Sequence, residues 1–493
     1  MGVVGSGMIS RTGTRPRDGR ITIAVLGAGI AGLVAGYELE RLGYDVVILE
    51  ADSRLGGRVF THHFGGPGGP LAELGAMRIP ADHHLTVRYV NELGLRDRLR
   101  PFRGVLSEPH NYLRTGSRLV RVRDAAAPLI REVERFAGGG SHRRETLLFV
   151  GWLRAMVHAI APQELRDSFR DDVNGIFGPA GRLDLAPFLR GDRADLAGAF
   201  DTYPELRDAC GGRLEGFLGD LLRESGAHML TLEGGMDQLV VALAARLRGP
   251  IHTRHEVVGL DVRPDAVTCH LVHAGSRSTV TWPAVLCTIP FSVLRGLRLT
   301  GVDADKLDVI GALDYGSATK VALHCREAFW IADGITGGGS ALEGLSRQTY
   351  YPDAVVDGGS ALLAGYAIAE DADRLGQLSE SDRLTAVVDE VAAAHPGLRR
   401  PGMVRDAIGV VWGERRWSRG GVARRWGVTN AQRAREVERA TRPQGGLFFA
   451  GEHCATSPAW INAAMESALR AVTRIDAFAR RPATARIGAE VPG

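Results

Sequence analysis

The spacing of apolar residues changes several times along the chain, and each change predicts a different kind of element. Residues 21–26, Ile-Thr-Ile-Ala-Val-Leu, form an unbroken β-branched run, the pattern of a strand buried on both faces. Gly27-Ala-Gly29-Ile-Ala-Gly32 follows and opens a helix that runs through Leu42, and residues 45–50, Asp-Val-Val-Ile-Leu-Glu, read as a second strand. Together they predict a β-α-β unit. Residues 119–226 instead place apolar side chains at helical intervals among Arg, Asp and Glu, with little strand character. Residues 257–271 and 280–289 turn β-like again. Leu447-Phe-Phe-Ala450 predicts one more strand, followed by a turn and a helix over residues 461–477. Residues 1–20, rich in Gly, Ser and Arg, read as a flexible leader, and residues 479–493 as a flexible tail.

Composition narrows the class. A chain of 493 residues is too long for one ordinary core and suits an elaborated α/β enzyme or about three domains. With 45% apolar and 24% charged residues it matches soluble globular proteins, and its 64 glycines imply many tight turns. A formal charge of +3 gives no reason to invoke nucleic acid. No apolar run approaches the ~18 residues of a membrane span, and no secretory signal opens the chain. Cys210, Cys269, Cys287, Cys325 and Cys454 lie far apart without a Cys-x-x-Cys pair, so neither a metal site nor a disulfide framework is expected. The expectation is a cytoplasmic protein without membrane or nucleic-acid partners. Among 60 basic residues only Lys306 and Lys320 are lysines, which reads first as codon bias.

The glycine turn carries the first chemistry. Between a buried strand and a helix, Gly27 permits the tight turn, Gly29 lets backbone approach a pyrophosphate, and Gly32 lets helix pack on strand. The helix N-terminus offers free N–H groups to phosphates. Glu50 closes the second strand where a ribose-binding carboxylate belongs. An adenine dinucleotide, NAD or FAD, fits this unit. The following residues, Glu50-Ala-Asp-Ser-Arg-Leu-Gly56-Gly57-Arg58, favour FAD, because a second glycine pair and an arginine bring another backbone loop and a fixed cation to the pyrophosphate.

On these motifs, together with Leu232-Glu-Gly-Gly-Met-Asp-Gln-Leu239 and Phe449-Ala-Gly-Glu452 with Trp460, the chain resembles the flavin-dependent amine oxidase family over almost its whole length. The resemblance implies an α/β fold: a discontinuous Rossmann-type FAD-binding domain (21–70, 227–312, 441–478), a mixed-sheet substrate-binding domain (71–118, 313–440) and a helical domain (119–226). It implies FAD contacts at Gly27, Gly29, Ile30, Ala31, Gly32, Glu50, Ala51, Gly57, Arg58, Gly75, Ala76, Met77, Arg78, Val257, Trp412, Gly451, Glu452, Ala459, Trp460, Ile461, Ala464 and Met465. The FAD is expected to be noncovalent. Val422 follows Gly420-Gly421 where covalently linked relatives carry cysteine, and Cys454 reads as a small packing residue. The aromatic and basic run from Trp412 to Trp426 reads as a wall of the flavin and substrate pocket.

Residues 72–80, Ala-Glu-Leu-Gly-Ala-Met-Arg-Ile-Pro, resemble the segment with which L-amino-acid oxidases hold the substrate α-carboxylate, and Arg78 matches its arginine. A guanidinium is well shaped to clamp a carboxylate through two parallel bonds. The resemblance adds Tyr366 as a second carboxylate donor, the Ala459 carbonyl as acceptor for the amine, and Trp460 as a flavin-facing aromatic. It adds Lys320 as the lysine that orders a water at flavin N5, where a permanently charged guanidinium would serve poorly. The implied reaction removes the α-hydrogen of an L-amino acid as hydride. The imino acid then hydrolyses to a 2-oxo acid and ammonia, and dioxygen is reduced to hydrogen peroxide. A homodimer is expected. The base is left unassigned; His110, His158 and His228 lie near the helical section. Val422, Ala423 and Trp412 suggest a large apolar or aromatic substrate, whereas Arg415, Arg416, Arg424 and Arg425 keep an acidic one open. Amine or polyamine oxidation, amino-acid 2-monooxygenation and an inactive flavoprotein module remain as rivals.

Overall fold

Strands Ile251–His252, Asp45–Leu49, Thr22–Leu26, Ala284–Cys287 and Leu447–Phe449 lie side by side, all parallel, in that order. The computed structural model describes residues 21–481 apart from 117, 138–141, 211, 227, 343, 354–358 and 425–428. The expected leader (1–20), the expected tail beyond 481, Arg425 and Trp426 therefore lie outside the described residues. The central strand Thr22–Leu26 is buried throughout, as its apolar run requires. Helices Ile30–Arg41 and Ile461–Ala479 cover one face of the sheet, with Leu33, Val34, Met465, Ala468 and Val472 in a shared core. Strands Glu256–Val262, Val267–His273, Ser276–Trp282 and Arg298–Thr300 form a separate four-stranded sheet. Val257, Leu260 and Trp282 from it join Ala24 and Leu26 in a second core.

A seven-stranded mixed sheet runs Val404–Val411, Ala318–Cys325, Ser360–Ile368, Gln348–Tyr351, Gly338–Ala341, Tyr112–Thr115, Arg118–Arg121. Its register places Lys320 opposite Tyr366, so two residues 46 positions apart in sequence are cross-strand neighbours. Residues 119–121, read above as helical, belong to the edge strand Arg118–Arg121, which antiparallel pairing holds against Tyr112–Thr115. Residues 189–194 also depart from helix: Leu189–Arg190 and Arg193–Ala194 form a small hairpin. The remainder of that section is helical, with Ala126–Phe136, Arg144–Ile160, Gln163–Arg182, Leu196–Thr202, Pro204–Asp208 and Gly212–Ser225. Met229–Leu232 pairs with both Ile79–Pro80 and Leu99–Pro101, which stitches the expected FAD-binding and substrate-binding segments together. Among the described residues no helix is long and apolar enough to cross a membrane.

The first βα turn depends on glycine for two separate reasons. Gly27 has φ +105, where a side chain is strained, and a Cβ on Gly32 would stand 2.0 Å from the Gly27 carbonyl oxygen. That oxygen cannot retreat, since Gly27 is tied into the turn by its N–H bond to Leu49. Gly32→Ala is therefore expected to destabilise the protein by about 1–3 kcal/mol, which thermal unfolding measures.

Candidate active site

The glycine turn forms one end of a long cleft. Gly56 donates its N–H to the Ala28 carbonyl at 2.8 Å, and Gly29 and Gly56 are bridged in parallel fashion, so the second glycine pair lies directly against the first. A Cβ on Gly29 would meet only the Gly57 Cα, at 3.9 Å. No protein atom therefore demands glycine there; the space suits a ligand brought close to backbone. Glu50 is buried, and each carboxylate oxygen accepts one backbone N–H at 2.7 Å, from Ala28 and Asp52. Burial raises its pKa. The lone pairs left over can accept hydroxyl donors.

The cleft encloses about 1660 Å³ including its open mouth, and it brings together most of the residues singled out in the sequence. Gly27, Gly29, Ile30, Ala31, Glu50, Ala51, Gly57, Arg58 and Val257 line the end formed by the parallel sheet. Gly75, Ala76, Lys320, Tyr366, Trp412, Val422, Gly451, Glu452, Ala459, Trp460, Ile461 and Ala464 line the remainder. Gly32, Met77, Arg78 and Met465 do not line it. Gly32 is a packing residue, as its contact with Gly27 shows. Met465 is wholly buried in the core beneath the C-terminal helix. Met77 lies behind the wall, where its sulfur accepts from the Lys320 amine at 3.3 Å.

Glu452 acts as a cross-brace. Its oxygens accept from Arg58 Nη1 at 2.7 Å, from the Ala423 N–H at 3.2 Å and from the Ala459 N–H at 3.1 Å. Burial pushes its pKa upward, but the Arg58 guanidinium and these donors hold the carboxyl below its ordinary value. The same arginine donates to the Gly421 carbonyl at 3.0 Å. Ala459 is held at φ +75, a left-handed conformation unusual for a residue with a side chain, which accounts physically for glycine being favoured at such a position. Trp412 donates its indole N–H to the Leu74 carbonyl at 2.9 Å, fixing the wall to the segment that carries Arg78.

Lys320 is 3% exposed. Its amine donates to the carbonyls of Gly75 at 2.7 Å and Glu73 at 3.1 Å and lies 4.5 Å from the centre of the Tyr366 ring. Burial, reinforced by Arg78, pushes its pKa down to about 7. This is no ordinary surface lysine. Glu73, nearby, is pushed up to about 7 by burial, although the Met236 N–H and the Thr61 hydroxyl bond to its carboxylate. Lys306 is also buried, but its amine donates to the Arg439 and Ala440 carbonyls and faces the Phe449 ring, so it ties down the end of the helix Asn430–Thr441.

Arg78 stands just behind the cleft. It donates to the Tyr350 hydroxyl at 3.3 Å, faces the Phe102 ring at 5.8 Å and is ion-paired with Glu224. Tyr366 is close enough for the Arg78 charge to lower its pKa against the larger effect of burial. The sequence reading missed Tyr350, Glu224 and Asp220. Asp220 accepts the Trp460 indole N–H at 2.8 Å, and the His83 ring meets that indole edge-on at 5.1 Å. A signal for Glu224 existed. On the helix Gly212–Ser225 it continues the apolar stripe of Leu214, Phe217 and Leu221, so a carboxylate falls where the periodicity demands a buried side chain. His110, His158 and His228 do not line the cleft. Nor does any cysteine; Cys454 is buried and forms no disulfide. Arg415, Arg416 and Arg424 are paired with Asp52, Glu256 and Asp314. Among the described residues no group of acidic, histidine or cysteine side chains is arranged to hold a metal ion.

A glycine-lined cleft at a parallel sheet, walled by a second sheet that presents a buried lysine, suits a nucleotide-cofactor oxidoreductase. The sequence profile of flavin containing amine oxidoreductases matches residues 30–476, and the chain belongs to that family. It is 50% identical over 468 residues to a flavin-dependent L-tryptophan oxidase of Lentzea aerocolonigenes, covering 93% of this chain and 98% of that one. It is 31% identical over 469 residues to the L-amino-acid oxidase of Mus musculus, covering 92% and 70%. Among solved structures it resembles the cyclohexylamine oxidase from Brevibacterium oxydans, with a TM-score of 0.63, 18% identity and coverage of 94% of this chain and 100% of that one.

Three outcomes follow from the site. Arg78→Lys keeps the charge facing Glu224 but loses the planar fork, and is expected to raise KM for an amino-acid substrate about 10–100-fold in steady-state kinetics. Lys320→Met is expected to slow flavin reduction or reoxidation at least about tenfold in stopped-flow measurements while the protein stays folded. Lys320 also penalises folding wherever the unfolded chain's lysine is charged, because the buried amine holds its proton more weakly. That penalty is complete below about pH 7 and disappears as the pH rises to 10.5. Relative to Lys320→Met, the wild type should gain about 1.4 kcal/mol of stability per pH unit across that window, measured by denaturant titration.

Proposed function

We propose that the protein oxidatively deaminates an aromatic L-amino acid, with L-tryptophan the first candidate, using noncovalently bound FAD and dioxygen. The observation that carries this reading is the buried Arg78 guanidinium beside Tyr350 and Tyr366, next to a cleft that Lys320 and Trp460 also line. An oxidase of simple amines has no carboxylate to place against such a guanidinium. Phe102 and Tyr350 face Arg78 while Tyr366 and Trp460 line the cleft, and these aromatic faces favour a large flat side chain. The arginines that kept an acidic substrate open are committed to Asp52, Glu256 and Asp314, and Arg425 lies outside the described residues. The name of the Lentzea aerocolonigenes relative points the same way.

The cleft fits FAD. The room above Gly29, the helix N-terminus at Ile30 and the free lone pairs of Glu50 suit pyrophosphate and ribose, and no cysteine stands in the lining to form a covalent link. When bound, the flavin supplies the acceptor for the α-hydrogen and later passes its electrons to dioxygen. The chain's own residues do the positioning. Arg78 and Tyr366 hold the α-carboxylate, the Ala459 carbonyl orients the amine, and Lys320 directs a water through an amine that can exist uncharged near neutral pH. The Arg58–Glu452 brace keeps the Ala423 and Ala459 backbone in place while the substrate binds.

The test is anaerobic bleaching of the bound flavin across the L- and D-amino acids, with tryptamine as a carboxylate-free control. L-tryptophan should bleach it fastest, the D-isomers and tryptamine should fail, and aerobic turnover should release ammonia and peroxide in equal amounts. Formation of an amide would instead identify a monooxygenase, and bleaching by tryptamine an amine oxidase.

A further inference from the structure

Glu224, on the helix Gly212–Ser225, is buried behind the cleft against Arg78, with its two oxygens in different circumstances. Oε1 engages the Arg78 guanidinium. Oε2 is buried, and among the described residues it makes no hydrogen bond. A shielded carboxylate oxygen without a donor is unfavourable, and it suits a ligand that brings an N–H cation. The charged and titratable groups facing Glu224 are Arg78 from the segment after Gly75, Asp220 one turn earlier on its own helix, and Lys320, Tyr350 and Tyr366 from the mixed sheet. Lys320 donates to Glu73, Gly75 and Met77, and Asp220 is engaged by Trp460 and lies 3.6 Å from Arg223. Neither satisfies Oε2.

A guanidinium and a carboxylate side by side are the charge complement of an α-amino acid, whose carboxylate and ammonium share one carbon. We propose that Glu224 receives the α-ammonium of the substrate at Oε2 and removes its proton, acting as the base of the reaction. The proposal rests on the amino-acid oxidase reading above. In the step an N–H bond of the ammonium breaks and an O–H bond forms on Glu224. The substrate is left as the neutral amine and Glu224 as the carboxylic acid, with no change of oxidation state. The amine's lone pair is then free to support departure of the α-hydrogen. Burial raises the proton affinity of Glu224 against the opposing pull of Arg78, and the Asp220 charge adds to the rise, which suits a carboxylate that must take a proton from an ammonium. Asp220 serves as a positioning residue, holding the Trp460 indole that lines the cleft.

Glu224→Gln keeps an oxygen for Arg78 but cannot accept the proton. The test is the stopped-flow rate of flavin reduction by L-tryptophan, in wild type and E224Q, between about pH 6 and 10. In E224Q the rate near neutral pH should fall at least about 100-fold and then climb about tenfold per pH unit toward the pKa of the free amine, while the wild type levels off at lower pH. An E224Q profile parallel to wild type overturns the proposal, because a mere counter-ion to Arg78 would alter KM or stability without moving the profile. Failure of every L-amino acid to bleach the wild-type flavin would overturn the functional reading instead. If E224Q does not retain flavin, calorimetry on the wild type decides. Indole-3-propionate has the carboxylate but no ammonium, so its binding next to Glu224 requires Glu224 to be protonated. Its affinity should rise about tenfold per pH unit as the pH falls through the Glu224 titration, with uptake of one proton. An affinity independent of pH, without proton uptake, overturns the proposal.

Discussion

Arg58 and Glu452, 394 positions apart in sequence, meet at 2.7 Å with their charges largely withdrawn from water. The guanidinium belongs to the loop just after the dinucleotide turn. The carboxylate follows the last strand of the parallel sheet and also receives the N–H groups of Ala423 and Ala459. One ion pair thus joins the beginning of the cleft, its far wall and the approach to the C-terminal helix. Removing either partner would leave a buried charge uncompensated, a loss of about 3–5 kcal/mol for such pairs. The left-handed backbone at Ala459 is tolerated because the Glu452 carboxylate anchors its N–H.

Behind this brace the site is organised by a shortage of water rather than by an abundance of charge. Lys320 and Glu73 both have proton affinities moved toward neutrality, in opposite directions, by the same cause. Burial disfavours the charged form of each, and the backbone carbonyls that accept from Lys320 only partly compensate. Arg78 keeps its charge under the same conditions because a guanidinium does not give up its proton, and Glu224 against it strengthens that hold. Two cations and their carboxylate neighbours thus behave differently according to the chemistry of the group and to which of them has a partner.

The two lysines illustrate how composition and position differ in what they reveal. Both are buried, and burial lowers both, Lys306 to about 8 and Lys320 to about 7. Lys306 directs its amine at the carbonyls that end a helix, a structural task. Lys320 directs its amine at the loop carrying Gly75 and lines the cleft. A compact ammonium that can shed its proton is what distinguishes these places from those held by the arginines, which cannot.

The strands and turns of the parallel sheet were legible in the sequence because they are local. A buried β-branched run, a glycine turn and a helix period each declare themselves within a dozen residues. Gly27, Gly29 and Glu50 could be placed from spacing alone, and Arg58, Arg78, Lys320, Tyr366 and Trp460 from motifs whose order along the chain is itself informative. The strand Arg118–Arg121 was missed because it is short and only partly buried, so its periodicity is weak, and its pairing comes from a neighbour. The side chains of Met77 and Met465 lie outside the cleft lining, one behind the wall and the other in the core, since a motif gives a position in sequence without the direction of a side chain. The partners of Arg78 were invisible for a stronger reason. Tyr350 comes from a strand of the mixed sheet and Glu224 from a helix, and no local pattern links either to residue 78. The sequence by itself determined which kinds of group the cleft contains. Only the tertiary structure decided which of them are charged and what each one faces, because both depend on burial and on partners contributed by distant parts of the chain.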